Sequence, residues 1–183
     1  MKFSLIALLA CAVTAIASPM QLVSRADASR IIVDIQLITT KSGDLNKKAA
    51  DLNILSFILG GFGFSIASGL QDIGQTGAIA VNDVTTPPFD IFSAPDARDV
   101  IAVLKTFVIV HQQLLSTLIG KHGLFEQFGG TQPIAKALRE IEEVVDSFAE
   151  ALINLIPTEY DEAMFQMHSL DISLRNTISV YSD

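Results

Sequence analysis

Apolar residues recur at alternating steps of four and three residues along five separate stretches of the sequence. This spacing places the apolar side chains of each stretch on one face of an α-helix. No stretch shows the sustained two-residue alternation that is typical of a half-buried strand. The pattern therefore predicts an all-α protein with helices over residues 31–52, 66–84, 100–118, 134–155 and 160–181.

Glycine, proline and capping residues separate these five stretches. Thr-Thr-Pro-Pro at 85–88 ends the second helix, and Ser-Ala-Pro-Asp at 93–96 has the form of a helix start with proline in the first turn. Gly-Gly-Thr-Gln-Pro at 129–133 interrupts the chain before the fourth helix. Because helices joined by short connections pack antiparallel, the sequence predicts a five-helix up-and-down bundle.

The first residues have the pattern of a secretory signal peptide. Lys2 precedes an apolar run over residues 3–17, which ends in the small-x-small triplet Ala-Ile-Ala. This run is too short for a membrane span and has the cleavage pattern of a leader. We predict a signal peptide over 1–17, an N-terminal segment over 18–26 and one helical domain over 27–183. The protein is expected to be secreted, without stable insertion into a membrane.

Charge and cysteine content exclude several classes of partner. The chain has 12 basic and 20 acidic residues, a net charge of −8, and Lys2 would leave with the leader. An acidic surface disfavours binding to nucleic acid and to anionic membranes. The one cysteine, Cys11, lies in the predicted leader. The mature chain would then have no thiol for a disulfide, a metal site or a nucleophile.

The sequence contains no convincing catalytic or metal-binding motif. Gly-Phe-Ser-Ile-Ala at 63–67 matches a nucleophile elbow only in part, and no strand precedes it. The three histidines show no metal-ligand spacing. We therefore predict that the protein is not an enzyme and uses no metal or cofactor.

The second helical stretch is rich in glycine, with six glycines between residues 60 and 77. Each glycine inside a helix costs about 1 kcal/mol relative to alanine, so this composition needs a physical reason. One reason is close packing between helices, and the other is internal space left for a ligand. We predict that this helix forms part of the wall of an apolar interior cavity, with Gly77 on the inner side.

The chain also carries a skeleton of residues shared with a known family: Leu118, Lys121, Leu124, Phe125, Gly129, Pro133, Ile134, Leu138, Phe148, Ala151, Leu152, Pro157, Ile172, Ile178 and Tyr181. This pattern resembles the fungal hydrophobic surface binding protein A and cell-wall mannoprotein family. The resemblance implies a secreted or cell-wall-associated fungal protein with an all-helical fold. It further implies that a long-chain fatty acid is held inside the bundle, which would sequester host lipid.

Two alternatives stay open beside lipid binding. In the first, which the same resemblance implies, the protein adsorbs to hydrophobic surfaces and recruits secreted esterases. In the second, it is a structural or antigenic wall protein with a filled core. Cell-wall polysaccharide and secreted hydrolases are therefore candidate partners besides lipid, and no sequence feature defines the oligomeric state.

Candidate ligand-binding residues follow from the inner helix faces. His111 and Asp171 interrupt these faces with polar side chains, which either satisfy each other, the backbone or water for structural reasons, or place His111 as the anchor of a carboxylate head group. Weaker polar candidates and apolar residues of the inner faces complete the predicted site. The set is Phe64, Ser65, Ser68, Leu70, Ile73, Gln75, Gly77, Phe107, His111, Leu114, Phe148, Leu152, Met164, Met167, His168, Asp171 and Leu174.

Two connections are the expected sites of ligand access. Residues 85–95 and 120–133 are the longest connections and are rich in glycine and proline, so we expect them to be mobile and to open at a bundle end. Within the first of them, Phe-Asp-Ile-Phe at 89–92 either caps one end of the bundle or provides an exposed surface for adsorption.

Overall fold

The computed structural model describes residues 27–55, 57, 62–87 and 90–182, so the predicted leader and N-terminal segment lie outside the described residues. Every regular element in this part of the chain is helical, which confirms the all-α prediction. Five long helices and the 3-10 turn Pro157–Glu159 are present there. The helices are α1 (Ala28–Ala50), α2 (Phe62–Thr85), α3 (Ala94–Gln127), α4 (Thr131–Leu155) and α5 (Tyr160–Ser182).

Side chains at the helix starts supply the hydrogen bonds that the first turns lack. Asp27 accepts a hydrogen bond from the backbone N–H of Ser29 at 2.9 Å and so caps α1. Ser93 caps α3, as the sequence predicts, and its hydroxyl also donates to Asp96 at 2.6 Å. Pro95 occupies the first turn of α3, where no backbone N–H is needed.

Helix α3 extends further than the sequence predicts. The expected break at Gly120 is wrong, because α3 continues to Gln127 and ends before Gly129, whose φ is 69°. Phe125 is fully buried, and the Lys121 ammonium donates to the carbonyl of Leu52 at 2.7 Å. These contacts offset the low helix propensity of the glycines in the last two turns of α3. Most of the connection expected to be mobile, residues 120–133, is therefore helical.

In space the helices form a closed ring in the order α1, α2, α4, α5, α3, and each packs against its two neighbours in this order. In chain order they run up and down alternately, so α2 is parallel to α4, and α3 is parallel to both α1 and α5. Helix axes that pack about 9 Å apart lie about 8 Å from the centre of a five-membered ring, against about 6 Å for four. The centre must therefore hold large side chains or remain partly empty.

The apolar face of each helix points into this ring. α3 is long and apolar enough to cross a membrane by length and composition, and in the ring its apolar positions pack against α1 and α5. The most fully buried large side chains are Ile31, Ile35, Ile66, Leu70, Leu104, Leu114, Leu115, Leu118, Phe125, Ile134, Leu138 and Tyr181.

Charged contacts connect neighbouring helices on the outside of the ring. Arg30 on α1 lies 2.6 Å from the buried carboxylate of Asp83 on α2. Asp34 lies beside this pair, and burial together with the nearby Asp83 raises the pKa of Asp34 to about 6. Lys41 and Asp72 join the same two helices at 2.7 Å. Such pairs fix the register of α1 and α2 more than they add stability.

Two glycines of α2 bring neighbouring helices close together. A Cβ atom at Gly69 would lie 2.5 Å from Cδ1 of Leu45 on α1. A Cβ atom at Gly77 would lie 2.7 Å from Cγ1 of Val144 on α4. Close packing thus accounts for part of the glycine content of α2.

Alanine substitution at two helical glycines should have opposite effects on stability. A Cβ atom added at Gly120 would meet no other atom within 4 Å, so Gly120→Ala should raise the free energy of unfolding by about 0.5–1 kcal/mol. Gly69→Ala should lower it, because the added carbon overlaps buried Leu45. Urea unfolding followed by circular dichroism measures both. An equal gain in both variants would contradict tight packing between α1 and α2.

Candidate ligand cavity

A cavity lies at the centre of the ring, and all five helices contribute to its wall. His111 is the one polar side chain among the described residues that line it, and the others are apolar or glycine. The wall consists of Ile35, Ile38, Ile73, Gly74, Gly77, Phe107, His111, Ile141, Val144, Val145, Phe148 and Met167. Gly74 and Gly77 belong to this wall, so the glycines of α2 serve both close packing and internal space.

The cavity is narrow in this conformation. Its volume is about 30 Å³, which is room for one or two water molecules. A longer apolar ligand could enter only if side chains or helices moved outward. Met167 is the most adaptable side chain of the wall, because an unbranched thioether repacks at low cost.

His111 is fully buried, and within the described part of the chain it has one hydrogen-bond partner. Its Nδ1 lies 2.9 Å from the hydroxyl oxygen of Ser42 on α1, and its Nε2 is buried without a partner. Burial lowers the pKa of His111 to about 4, so the ring is neutral above about pH 5. An unsatisfied buried polar atom costs about 1–3 kcal/mol. The cavity therefore offers a ligand one unused hydrogen-bonding position.

The chemistry of this position follows from the Ser42 hydroxyl, which can donate or accept. If Ser42 donates to Nδ1, then Nε2 carries the proton and can donate to a ligand oxygen. If Ser42 accepts from Nδ1, then Nε2 can accept a hydrogen bond from a carboxylic acid or an alcohol. In either case His111 suits a neutral polar group at the end of an apolar ligand.

The structure brings together six of the residues that the sequence singled out. Of the predicted site, the following line the cavity: Ile73, Gly77, Phe107, His111, Phe148 and Met167. Leu70, Leu114, Leu152 and Leu174 are buried in the core outside the lining of the cavity. The side chain of Phe64 lies outside the described residues.

The other polar candidates and one methionine lie at the surface, away from the cavity. Of the alternatives for Asp171, direct pairing with His111 is wrong, because Asp171 accepts a hydrogen bond from Arg175 at 2.7 Å near solvent. These side chains occupy outward positions on α2 and α5 and contact water. Their polar groups therefore keep their hydration and lose no free energy of solvation on folding. The exposed candidates are Ser65, Ser68, Gln75, Met164 and His168.

Half of the lining was not singled out from the sequence. The missed residues are Ile35, Ile38, Gly74, Ile141, Val144 and Val145. Ile35, Ile38, Ile141 and Val145 do belong to the predicted inner faces, but periodicity does not show which level of a helix meets the cavity. Gly74 and Val144 lie one position beside those faces.

A second depression lies between α2 and α4, near the C-terminal ends of both helices. We call this depression the α2–α4 groove; its volume is about 480 Å³. Its lining is Val81, Val84, Thr85, Ile91, Ser147, Glu150, Ala151, Asn154 and Leu155.

The segment before α3 closes the bundle beside this groove. Phe92 is buried, and its backbone N–H donates to the carbonyl of Leu155 at 2.8 Å. Ile91 is 68% exposed and borders the groove. Phe92 therefore caps the bundle end, while Phe89 lies outside the described residues.

Comparison with known proteins gives similarity of structure but not of sequence. No family model matches the chain, and no curated protein matches it. Three solved structures have the same architecture. The first is Afmp4p in complex with palmitic acid, at 18% identity and a TM-score of 0.74, covering 85% of this chain and 99% of that one.

The other two are domains of the MP1 protein of Penicillium marneffei. Ligand-binding domain 1, complexed with arachidonic acids, has 12% identity, a TM-score of 0.75 and coverage of 86% of this chain and 100% of that domain. Ligand-binding domain 2, complexed with multiple arachidonic acids, has 14% identity, a TM-score of 0.70 and coverage of 84% and 93%. The chain thus has the fold of helical fungal ligand-binding domains.

Substitutions at the two members of the buried pair should affect stability differently. Ser42→Ala should lower the free energy of unfolding by about 1–3 kcal/mol, because both ring nitrogens of His111 would then be buried without partners. His111→Leu should lower it less, because the apolar side chain removes the unsatisfied ring and the freed Ser42 hydroxyl can donate to the carbonyl of Ile38 one turn earlier in α1. Ser68→Ala, at an exposed serine, is the control and should change it by less than about 0.5 kcal/mol. Chemical denaturation tests this order, and a large loss in His111→Leu would contradict it.

Proposed function

We propose that this protein binds a long-chain fatty acid in the cavity at the centre of its helical ring. The observation that carries the proposal is an apolar cavity, walled by all five helices, with one unused polar atom on His111. The fold adds support, because the three similar structures contain palmitic or arachidonic acid.

The energy of burial is sufficient for such a ligand. Transfer of about 15 methylene groups out of water contributes about 12 kcal/mol at about 0.8 kcal/mol each. Loss of free motion on association costs about 4–15 kcal/mol, and widening the cavity costs more. At the low end of this association cost the net is about 8 kcal/mol, which corresponds to a micromolar dissociation constant, and the work of widening the cavity weakens binding from there. Since one methylene changes the balance little, selectivity between chain lengths should be low.

We further propose that the chain is a secreted fungal protein of the hydrophobic surface binding protein A and mannoprotein type, which sequesters lipid without catalysing a reaction. The leader pattern over residues 1–17 and the residue skeleton of the family support this proposal. The similar solved structures are ligand-binding proteins rather than enzymes, which also supports it.

Adsorption to hydrophobic surfaces is the second candidate function. One observation favours it: Met164, Phe165 and Ile172 of α5 are exposed apolar side chains, and Phe165 is 67% exposed. Adsorption would use this outer surface, whereas lipid binding uses the interior. A change confined to the cavity would therefore impair lipid binding and leave adsorption unchanged.

The buried carboxyl group of a fatty acid should carry or share a proton. An ionised carboxylate beside neutral His111 would place an uncompensated charge in an apolar cavity, which costs several kcal/mol. The carboxylic acid hydrogen-bonded to Nε2 and the carboxylate paired with imidazolium contain the same number of protons. Uptake of a carboxylate from neutral solution therefore requires uptake of one proton in both arrangements.

Filling the cavity should abolish lipid binding in a folded protein. Gly74→Leu is the suitable change, because a Cβ atom there meets Ile141 at 3.6 Å, an ordinary contact, whereas a Cβ at Gly77 would overlap Val144. We expect the affinity for palmitic acid to fall at least about tenfold, and Gly120→Leu, in open space on α3, to leave it unchanged. Titration with radiolabelled palmitic acid measures both variants.

Organic extraction and mass spectrometry of the purified protein provide an independent test. Co-purified fatty acid is the expected result in the wild type, and less should be recovered from Gly74→Leu. A wild-type protein that neither carries lipid nor takes up added palmitic acid would refute the proposal.

The affinity for a fatty acid should fall as the pH rises. Because binding takes up one proton above the pKa of the free acid, the dissociation constant of palmitic acid should rise up to about tenfold per pH unit between about pH 6 and 8. Methyl palmitate takes up no proton, so its affinity should not change with pH. Isothermal titration in buffers of different ionisation enthalpy measures the proton uptake directly.

The variant His111→Leu tests the position of the head group. It should weaken binding of palmitic acid by about 1–3 kcal/mol, or about five- to 150-fold, and weaken binding of methyl palmitate by less. Equal losses for the two ligands would show that His111 has only a structural role. A pH-independent affinity for the acid would show that the carboxylate stays in solvent.

A further inference from the structure

The contact between α2 and α4 differs from the other contacts that surround the cavity. The two helices are parallel and meet where Gly74 and Gly77 of α2 face Ile141 and Val144 of α4. Because α2 presents Gly74 and Gly77 there, the side chains that face these two positions across the contact, Ile141 and Val144, come from α4. Outward movement of Val144 would therefore open the cavity towards the space between these helices.

The α2–α4 groove begins one helical turn beyond this contact. The last cavity residue on α2 is Gly77, and the first groove residue is Val81. On α4, Val144 lines the cavity at this contact and Ser147, three residues later, is the first residue that lines the groove. One turn is about 5.4 Å, so a chain that passes between α2 and α4 would enter the groove directly.

The distance from His111 to the groove fits the length of a fatty acid. His111 contacts Ser42 on α1, and the adjacent Lys41 pairs with Asp72, so His111 lies near the level of Asp72 on α2. From there to Val84 the helix rises by about 18 Å at 1.5 Å per residue. An extended hydrocarbon with bonds of about 1.5 Å advances about 1.25 Å per bond, so about 15 carbons span this distance.

The chemistry of the two ends gives the ligand a direction. The groove is lined by one acidic residue, Glu150, and by no basic residue among its described members. A carboxylate would be repelled there, whereas Val81, Val84 and Leu155 provide apolar contacts for a methyl end. The unused Nε2 of His111 lies at the opposite end of this path.

We infer that a bound fatty acid lies along the contact between α2 and α4, with its carboxyl group at His111 and its methyl end in the α2–α4 groove. This inference rests on the proposed lipid binding and adds the orientation and the second subsite. Chains of fewer than about 12 carbons end before Val81 and the groove, whereas chains of about 15 carbons or more extend to Val84 within it.

Tryptophan fluorescence can locate the methyl end, because the chain contains no tryptophan. Asn154→Trp places a reporter in the groove, and Phe128→Trp places a matched reporter at the other end of the bundle. The probes are two stearic acids that carry a quenching nitroxide near the methyl end or near the carboxyl end. The methyl-end probe should quench the reporter at 154 several-fold more than the carboxyl-end probe, and neither should strongly quench the reporter at 128.

The outcomes separate this inference from the proposed function. Stronger quenching at 154 by the carboxyl-end probe would reverse the orientation and refute the inference. Bound probes that leave the reporter at 154 unquenched would show that the groove is not occupied. If neither probe binds the protein, the proposed lipid binding itself fails.

Chain length gives a second test that needs no label. Ala151→Leu adds bulk to the groove, while Ala78→Leu adds the same bulk at an exposed position of α2 outside it. Ala151→Leu should weaken stearic acid binding at least about fivefold and leave decanoic acid, whose ten carbons end before the groove, unchanged. Ala78→Leu should affect neither. Equal losses for both acids, or no loss for either, would refute occupation of the groove.

Discussion

The closed ring of five helices is the constraint on which the rest of the structure depends. Each helix packs against two neighbours, so its apolar face must also cover the centre of the ring. The centre is wider than in a four-helix bundle, and large side chains such as Phe107, Phe148 and Met167 reach into it from three helices. These side chains leave a narrow cavity rather than a solid core. The cavity is thus a result of how many helices form the ring.

The buried pair of Ser42 and His111 connects this architecture to chemistry. Burial keeps the imidazole neutral, and Ser42 satisfies Nδ1 alone, so the protein tolerates a buried nitrogen without a partner. Apolar residues in place of both Ser42 and His111 would avoid the cost of the unsatisfied nitrogen. Loss of stability in exchange for a usable polar group is a common property of binding sites. A lipid head group that satisfies Nε2 would recover that loss on binding.

Periodicity in the sequence was enough to predict the fold class, the number of long helices and the cap of α3 at Ser93. It did not predict the end of α3, because the burial of Phe125 outweighs the local effect of Gly120. Of the site it predicted His111 and Gly77 but missed Gly74 and placed Asp171 wrongly. A sequence pattern identifies which face of a helix is buried. The order of helices around the ring and the level at which they meet depend on contacts between distant segments.

The small volume of the cavity also bears on how the proposed lipid binding would proceed. An interior of about 30 Å³ means that the apolar side chains of its wall cover one another. Where the structure is described, this interior would therefore have to widen before a long hydrocarbon chain could enter it. The conformation with a widened cavity would be a minor population of the protein. The apparent affinity for lipid would then equal the intrinsic affinity of that conformation multiplied by its populated fraction. The free energy needed to widen the cavity would then set the concentration of free lipid at which a substantial fraction of the protein binds it.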